Sequence, residues 1–231
     1  MKFKSRDRSS HPPYILPPYK SSLTRGPKTE PIIVPQSLTE LTGPAYDESI
    51  VGELDHDLTR NGQTNGEPIG ERLIITGRIL DENGDAAANT LVEIWQANAA
   101  GRYVHTNDQH DAPLDPNFLG AGRALTDDEG WYKFTTIRPG AYPWGNHYNA
   151  WRPTHIHFSL LGPNIMTRLI TQMYFEGDPL IPFDPIFAGS PAGAKDRLVA
   201  KFSLELTEPG FALAYRFDIV LRGPEATPFE A

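Results

Sequence analysis

In the stretch Trp151-Arg152-Pro153-Thr154-His155-Ile156-His157-Phe158, two histidines stand two residues apart. Side chains at i and i+2 of a strand share a face. His155 and His157 would therefore stand side by side, while Ile156, Phe158 and Leu160 turn toward a core. Two imidazoles so placed can share one metal ion. A bare His-x-His is more often a pair of polar residues on a solvated face. Here, however, Arg152, Trp144 and Trp151 crowd the same stretch, and converging polar, cationic and aromatic groups resemble the lining of a pocket.

Further donors must come from elsewhere, and the chain contains no Cys. That excludes disulfides, zinc–thiolate sites, iron–sulfur clusters and Cys nucleophiles, leaving His, carboxylate or Tyr to hold a metal. Asp55-His56-Asp57 is a carboxylate–His cluster, but successive residues point in different directions and the stretch reads as a solvated acidic loop. His105, His110 and His147 lie in polar loop sequence and read as surface groups. Glu176 and Asp178 could reach a metal; Glu176-Gly177-Asp178-Pro179 reads equally well as a turn. Tyr142 precedes His155 in Pro139-Gly140-Ala141-Tyr142-Pro143-Trp144, and Tyr103 follows Ala99-Ala100-Gly101-Arg102. A lone Tyr beside Gly or Pro is usually a packing residue, so spacing alone does not select these two.

The elements that must position these groups are strands. Residues 73–80, 90–95, 131–135, 155–160, 169–175 and 216–221 are rich in β-branched and aromatic residues. Asn83-Gly84 and Thr126-Asp127-Asp128-Glu129-Gly130 supply turns, the first a strong hairpin signal. A helix is expected from Ser190 as N-cap and Pro191 at the first helical position, with Ala194, Leu198, Val199 and Phe202 on one face. A shorter one is expected at Ser37-Leu38-Thr39-Glu40, which has capping-box spacing and meets Gly43-Pro44 at once. Seven prolines between Pro12 and Pro35 keep the N-terminal region extended. Its Tyr14, Ile15, Leu16 and Tyr19 are too apolar for a bare tail. The expected fold is all-β: a two-sheet β-sandwich core with a long Pro-rich N-terminal arm and a few short helices. Residues 1–70 would form the arm and an irregular region packing on the core or a partner, and residues 71–231 the catalytic sandwich.

Composition narrows the classes. The 231 residues carry a net charge of −8, which argues against nucleic acid as a partner, since phosphate contacts need a Lys and Arg surplus. No apolar run approaches the ~20 residues of a membrane span. Met1-Lys2-Phe3-Lys4-Ser5-Arg6 is charged with no apolar run behind it, so the expected compartment is the cytoplasm.

Taken together, Trp95-Gln96-Ala97-Asn98-Ala99-Ala100-Gly101-Arg102-Tyr103, Tyr142-Pro143-Trp144, Trp151 to Phe158 and Tyr174-Phe175-Glu176-Gly177-Asp178-Pro179 resemble the intradiol ring-cleaving dioxygenases. Tyr215-Arg216-Phe217-Asp218-Ile219-Val220-Leu221-Arg222-Gly223 and Pro17-Pro18-Tyr19-Lys20 extend the likeness almost from end to end, and it is greatest for members acting on protocatechuate. The resemblance implies that Tyr103, Tyr142, His155 and His157 bind a non-haem ferric ion and that O2 is the co-substrate. Phenolate is a hard anionic donor and suits Fe(III). It further implies that Tyr142 leaves the iron when the catechol chelates it, and that Arg152 stabilises developing negative charge. Gln172 would hydrogen-bond Arg152, while Tyr19, Trp144 and Ile186 shape the aromatic site and receive its carboxylate. The ring would open between its two hydroxylated carbons to give a carboxylated muconate. A structurally related alpha subunit, lacking the iron ligands, is the implied partner in a higher oligomer.

One departure stands out: the family pattern has Arg directly after Tyr-Pro-Trp, where this chain has Gly145. Its loss should alter rim charge and fine substrate preference rather than the iron site. The competing readings are intradiol cleavage of catechol or hydroxyquinol, a hydrolytic zinc site, and a non-catalytic β-sandwich binding module.

Overall fold

The computed structural model describes residues 9–29, 48–162 and 168–230. Eleven strands form there: β1 (Arg72–Leu80), β2 (Leu91–Trp95), β3 (Ala121–Leu125), β4 (Trp131–Ile137), β5 (Tyr142–Pro143), β6 (Trp151–Arg152), β7 (His155–Leu161), β8 (Leu169–Phe175), β9 (Val199–Glu208), β10 (Ala212–Arg216) and β11 (Ile219–Val220). Among the described residues helix is confined to short pieces, α1 (Ser22–Arg25), α2 (Pro185–Gly189) and 3-10 turns. Among the described residues no helix is long and apolar enough to cross a membrane.

The fold is mostly β, but the two expected sheets are one. Nine strands join in the order β11-β1-β10-β9-β8-β7-β2-β3, with β4 also on β1, while β5 and β6 form a separate ribbon. The join is narrow: β8 and β9 pair in parallel only through Tyr174 with Val199 and Phe175 with Ala200. The sheet curls until its halves face each other. Tyr132 of β4 and Phe158 of β7 have ring centroids 5.8 Å apart, and Phe158 lies 5.2 Å from Phe217. Leu73, Ile75, Val92, Ile94, Phe134 and Phe158 complete this buried cluster. A nearly barrel-shaped wall results.

Three local expectations are corrected. The Asn83-Gly84 turn forms, with Gly84 at φ 86°, yet β1 and β2 do not pair across it. β2 pairs instead with β3 and β7, because Leu91, Val92 and Ile94 find their burial in the other half of the sheet. The helix expected after Ser190 is a 3-10 stretch, Ala192–Leu198, that buries Ala194 and Leu198 and then gives way to β9. Val199 and Phe202 belong to that strand, which hairpins onto β10 through Pro209-Gly210 with Phe202 opposite Tyr215. Backbone pairing outweighs the helical spacing.

The single strand expected at 216–221 breaks at Phe217-Asp218. β10 pairs with the first half of β1 and β11 with the second, and the crossing lies over Gly77. A Cβ there would meet the Phe217 carbonyl oxygen at 2.0 Å, so only Gly admits the shift. The β3 strand was not anticipated, and the helix expected at Ser37 lies outside the described residues.

Part of the N-terminal region lies against the rest of the chain. Lys20 N donates to Asn146 O, Ser10 Oγ to Pro224 O, and the His11 ring stacks on Phe229 at 4.2 Å.

Candidate active site

The register of β2, β7 and β8 sets the floor of the site. Trp95 and Gln172 both lie opposite His157, and Tyr174 lies opposite His155. All five side chains therefore share one face, while Ile156, Phe158 and Leu160 are fully buried on the other. The side-by-side placement expected for the two histidines holds: their ring centroids are 4.9 Å apart. Trp95 stacks on His157 at 4.8 Å with an interplanar angle of 3°.

Both imidazoles have one nitrogen spoken for. His155 Nδ1 donates to Pro153 O at 2.7 Å, and His157 Nδ1 contacts Glu230 Oε2 at 3.1 Å. Such partners fix the tautomer and leave Nε2 carrying the lone pair. Burial, then the charges of Arg152 and His157, holds the His155 pKa well below the usual imidazole range. It stays neutral and able to ligate.

The two tyrosines arrive by different routes. Between β2 and Tyr103 the chain makes a tight turn in which Asn98 Oδ1 accepts from both Ala100 N and Arg102 N. Gly101 sits there at φ 80°, so close to Ala141 that a Cβ would lie 2.4 Å from its carbonyl oxygen. This docking sets Tyr103 beside Tyr142, ring centroids 5.4 Å apart and nearly perpendicular. Tyr142 is held by the β5–β6 ribbon, where it pairs with Arg152. Its Oη lies 3.2 Å from His155 Nε2, and the Tyr103 and His157 rings are 6.3 Å apart.

Two phenols and two imidazoles thus meet in one place. Tyr103 Oη is buried with no hydrogen-bond partner among the described residues, a costly arrangement unless something else engages it. Burial is the main cause that pushes both phenols above the usual tyrosine range, Tyr103 far above it. A cation between them would reverse that shift and bind them as phenolates. Among the described residues no three His, Cys, Asp or Glu gather to hold a metal; the oxygen donors beside this histidine pair are the two phenols. The donor set fits a hard trivalent ion.

Arg152 is the hub beside them. It is buried, and so is Asp184, which accepts from its Nε at 3.1 Å and Nη2 at 2.8 Å. Nη2 also reaches Gln172 Oε1 and Tyr174 Oη, and Nη1 reaches His155 Nε2 at 3.0 Å and Tyr142 Oη at 3.4 Å. Burial alone would lower its pKa, but Asp184 together with Tyr174 and Tyr142 more than offsets this and the guanidinium stays charged. Asp184 also caps α2, accepting from Ile186 N. Ile186 is buried on that helix turn next to the clamp. Trp144 lies under Arg152, 5.2 Å from its guanidinium carbon, and Tyr19 packs on Trp144 at 4.8 Å. Lys20 Nζ donates to Gly145 O at 3.1 Å, bringing a cation to the loop whose own Arg position is Gly145.

Other sequence candidates lie elsewhere. Asp178 accepts from Thr154 N and Oγ1, and Glu176 from Phe202 N; both tie turns to strands. Asp57 holds Thr59, and Asp55 pairs with Arg123. His105 is exposed, but His147 corrects the surface reading. It is 2 % exposed and bonded through Nε2 to Trp151 O, so it fastens the loop between β5 and β6. Sequence reasoning missed Trp95, Asp184 and Glu230 as neighbours of the site. Trp95 and Tyr174 stood within quoted motifs, but nothing local marked Asp184 or Glu230.

The dioxygenase family model matches residues 41–223, and that for the N-terminal part of the protocatechuate 3,4-dioxygenase beta subunit matches residues 5–37. The chain belongs to the intradiol dioxygenase family. Within that family it is 63% identical to the protocatechuate 3,4-dioxygenase beta chain of Burkholderia cepacia, over 97% of this chain and 96% of that one. The alpha chain from the same organism is 28% identical over 69% of this chain and 77% of its own. Among solved structures, catechol 1,2-dioxygenase from Acinetobacter sp. ADP1 superimposes with a TM-score of 0.52. Identity there is 27%, over 72% of this chain and 57% of that one.

Proposed function

We propose that this intradiol dioxygenase is the iron-bearing half of a protocatechuate 3,4-dioxygenase, using O2 to give 3-carboxy-cis,cis-muconate. One observation carries the reading: Tyr103, Tyr142, His155 and His157 converge around a phenol oxygen that has no hydrogen-bond partner among the described residues. These four would hold Fe(III), which when bound draws electron density from a chelated catecholate and opens its ring carbon to O2.

The rest is work for the protein's own groups. Tyr142, as phenolate, would take a catechol proton at Oη, and Arg152 Nη1, 3.4 Å away, would donate to the oxygen of the resulting phenol. Arg152 then stabilises negative charge on the ring. Asp184, Gln172 and Tyr174 hold it so firmly that little reorganisation is needed at the moment of reaction. Trp144 and Ile186 bound the aromatic ring, and Tyr19 faces the substrate carboxylate. In this reading residues 71–231 are the catalytic domain. Residues 1–70 serve as an arm on the core or on an alpha partner, in keeping with the alpha and beta chains of relatives.

The test is direct. Purified protein should be reddish from tyrosinate-to-iron charge transfer and consume O2 with protocatechuate faster than with catechol or hydroxyquinol. A colourless, zinc-loaded or inert preparation overturns it.

A further inference from the structure

We propose that Glu230 is the positioning residue that fixes the ring of His157 for metal binding. The proposal rests on the reading of Tyr103, Tyr142, His155 and His157 as metal donors.

The two histidines face the same problem: an imidazole ligates through one nitrogen only if the other keeps the proton and the ring cannot flip. His155 solves it locally, through the Pro153 carbonyl two residues away. Among the described residues His157 has no such backbone partner for Nδ1. Trp95 stacks flat on its ring, which fixes the plane but not which nitrogen points where. A half-turn within that plane exchanges the two edges at no cost in stacking. The Glu230 carboxylate, 3.1 Å from Nδ1, removes that ambiguity by accepting a hydrogen bond from Nδ1–H, which leaves Nε2 as the lone-pair nitrogen.

Glu230 lies outside the family match, which ends at residue 223, and its own segment is stitched down on two sides. Glu230 N donates to Ile170 O at 2.8 Å, and Thr171 Oγ1 donates to Pro228 O at 2.6 Å, both on β8. Phe229 N donates to His11 Nδ1 at 3.1 Å, beneath the stacked His11 ring. The carboxylate is thus delivered to the site by a segment trapped between β8 and the N-terminal arm.

The test uses the full chain, iron-loaded and produced together with an alpha-type partner, as wild type, Glu230→Ala and Glu230→Gln. Iron per chain and its rate of loss to a chelator are measured, with the thermal unfolding midpoint of each metal-free protein as control. Glu230→Ala should release iron about 10–100-fold faster with its unfolding midpoint unchanged. Glu230→Gln should stay close to wild type, because its amide oxygen still accepts a hydrogen bond from Nδ1–H. The clamp is overturned if Glu230→Ala keeps iron as wild type does, if Glu230→Gln fails equally, or if iron loss only follows a lowered unfolding midpoint. A wild type that takes up no iron overturns the metal reading itself, and the clamp with it.

Discussion

At the scale of single residues, the proposed mechanism divides the chemistry between the phenol of Tyr142, which handles a proton, and the guanidinium of Arg152, which handles a charge. Tyr142→Phe removes the proposed base and ligand while keeping the ring that packs on Tyr103 and His155. Turnover should fall about 10²–10⁴-fold, the usual range for a lost acid–base group, with a change in the visible absorption band recorded in the same sample. Asp184→Ala acts on stability. It strips a fully buried guanidinium of its counter-ion, a change that typically costs about 3–5 kcal/mol, and loss of the α2 cap adds about 1 kcal/mol. Denaturant unfolding should show a fall of that order. Asp184→Asn should cost less, because it still caps Ile186.

Elements turn these residues into a site. Within 16 residues the β5–β6 ribbon and β7 present Tyr142, Arg152, His155 and His157, while Tyr103 depends on the distant turn that ends β2. Gly101→Ala tests that dependence. A side chain at φ 80° against the Ala141 carbonyl is strained by about 1–2 kcal/mol from backbone conformation alone, and the turn must lift away from β5. Iron per chain should drop although every ligand remains in the sequence. Gly77→Ala should instead leave iron binding intact per folded molecule. It should destabilise the fold by about 1–3 kcal/mol, seen as a lower unfolding midpoint, because it pushes the β10–β11 crossing off β1.

For the whole molecule, the telling feature is that both ends of the described chain come back to the site. Tyr19 packs on Trp144, while Glu230 reaches His157 and is held beside His11. Removing residues 1–19 should therefore weaken substrate binding and iron retention together. Tyr19→Ala alone should raise KM for the carboxylated catechol more than for catechol itself, measured by O2 uptake. A domain whose arm were a passive linker would show neither effect.

What the sequence determined alone was the local chemistry. The alternation around His155 and His157 fixed which face carries imidazole and which is core, because strand geometry repeats every two residues regardless of context. The family likeness of its motifs added the two tyrosines, which spacing alone had left among ordinary packing residues. Tertiary structure decided the rest. Apolar spacing in Ala194 to Phe202 suits a helix, yet pairing with β10 made its second half a strand. β1 and β2 flank a good hairpin turn but bury their side chains in opposite halves of the curled sheet. His147 looks like a surface residue until the loop closes over it. Asp184 and Glu230 carry no local mark, since a carboxylate gains its meaning from the buried cation or imidazole it meets across 32 or 73 residues of chain. Such pairings arise only when folding removes water and forces each charge and proton to find a partner.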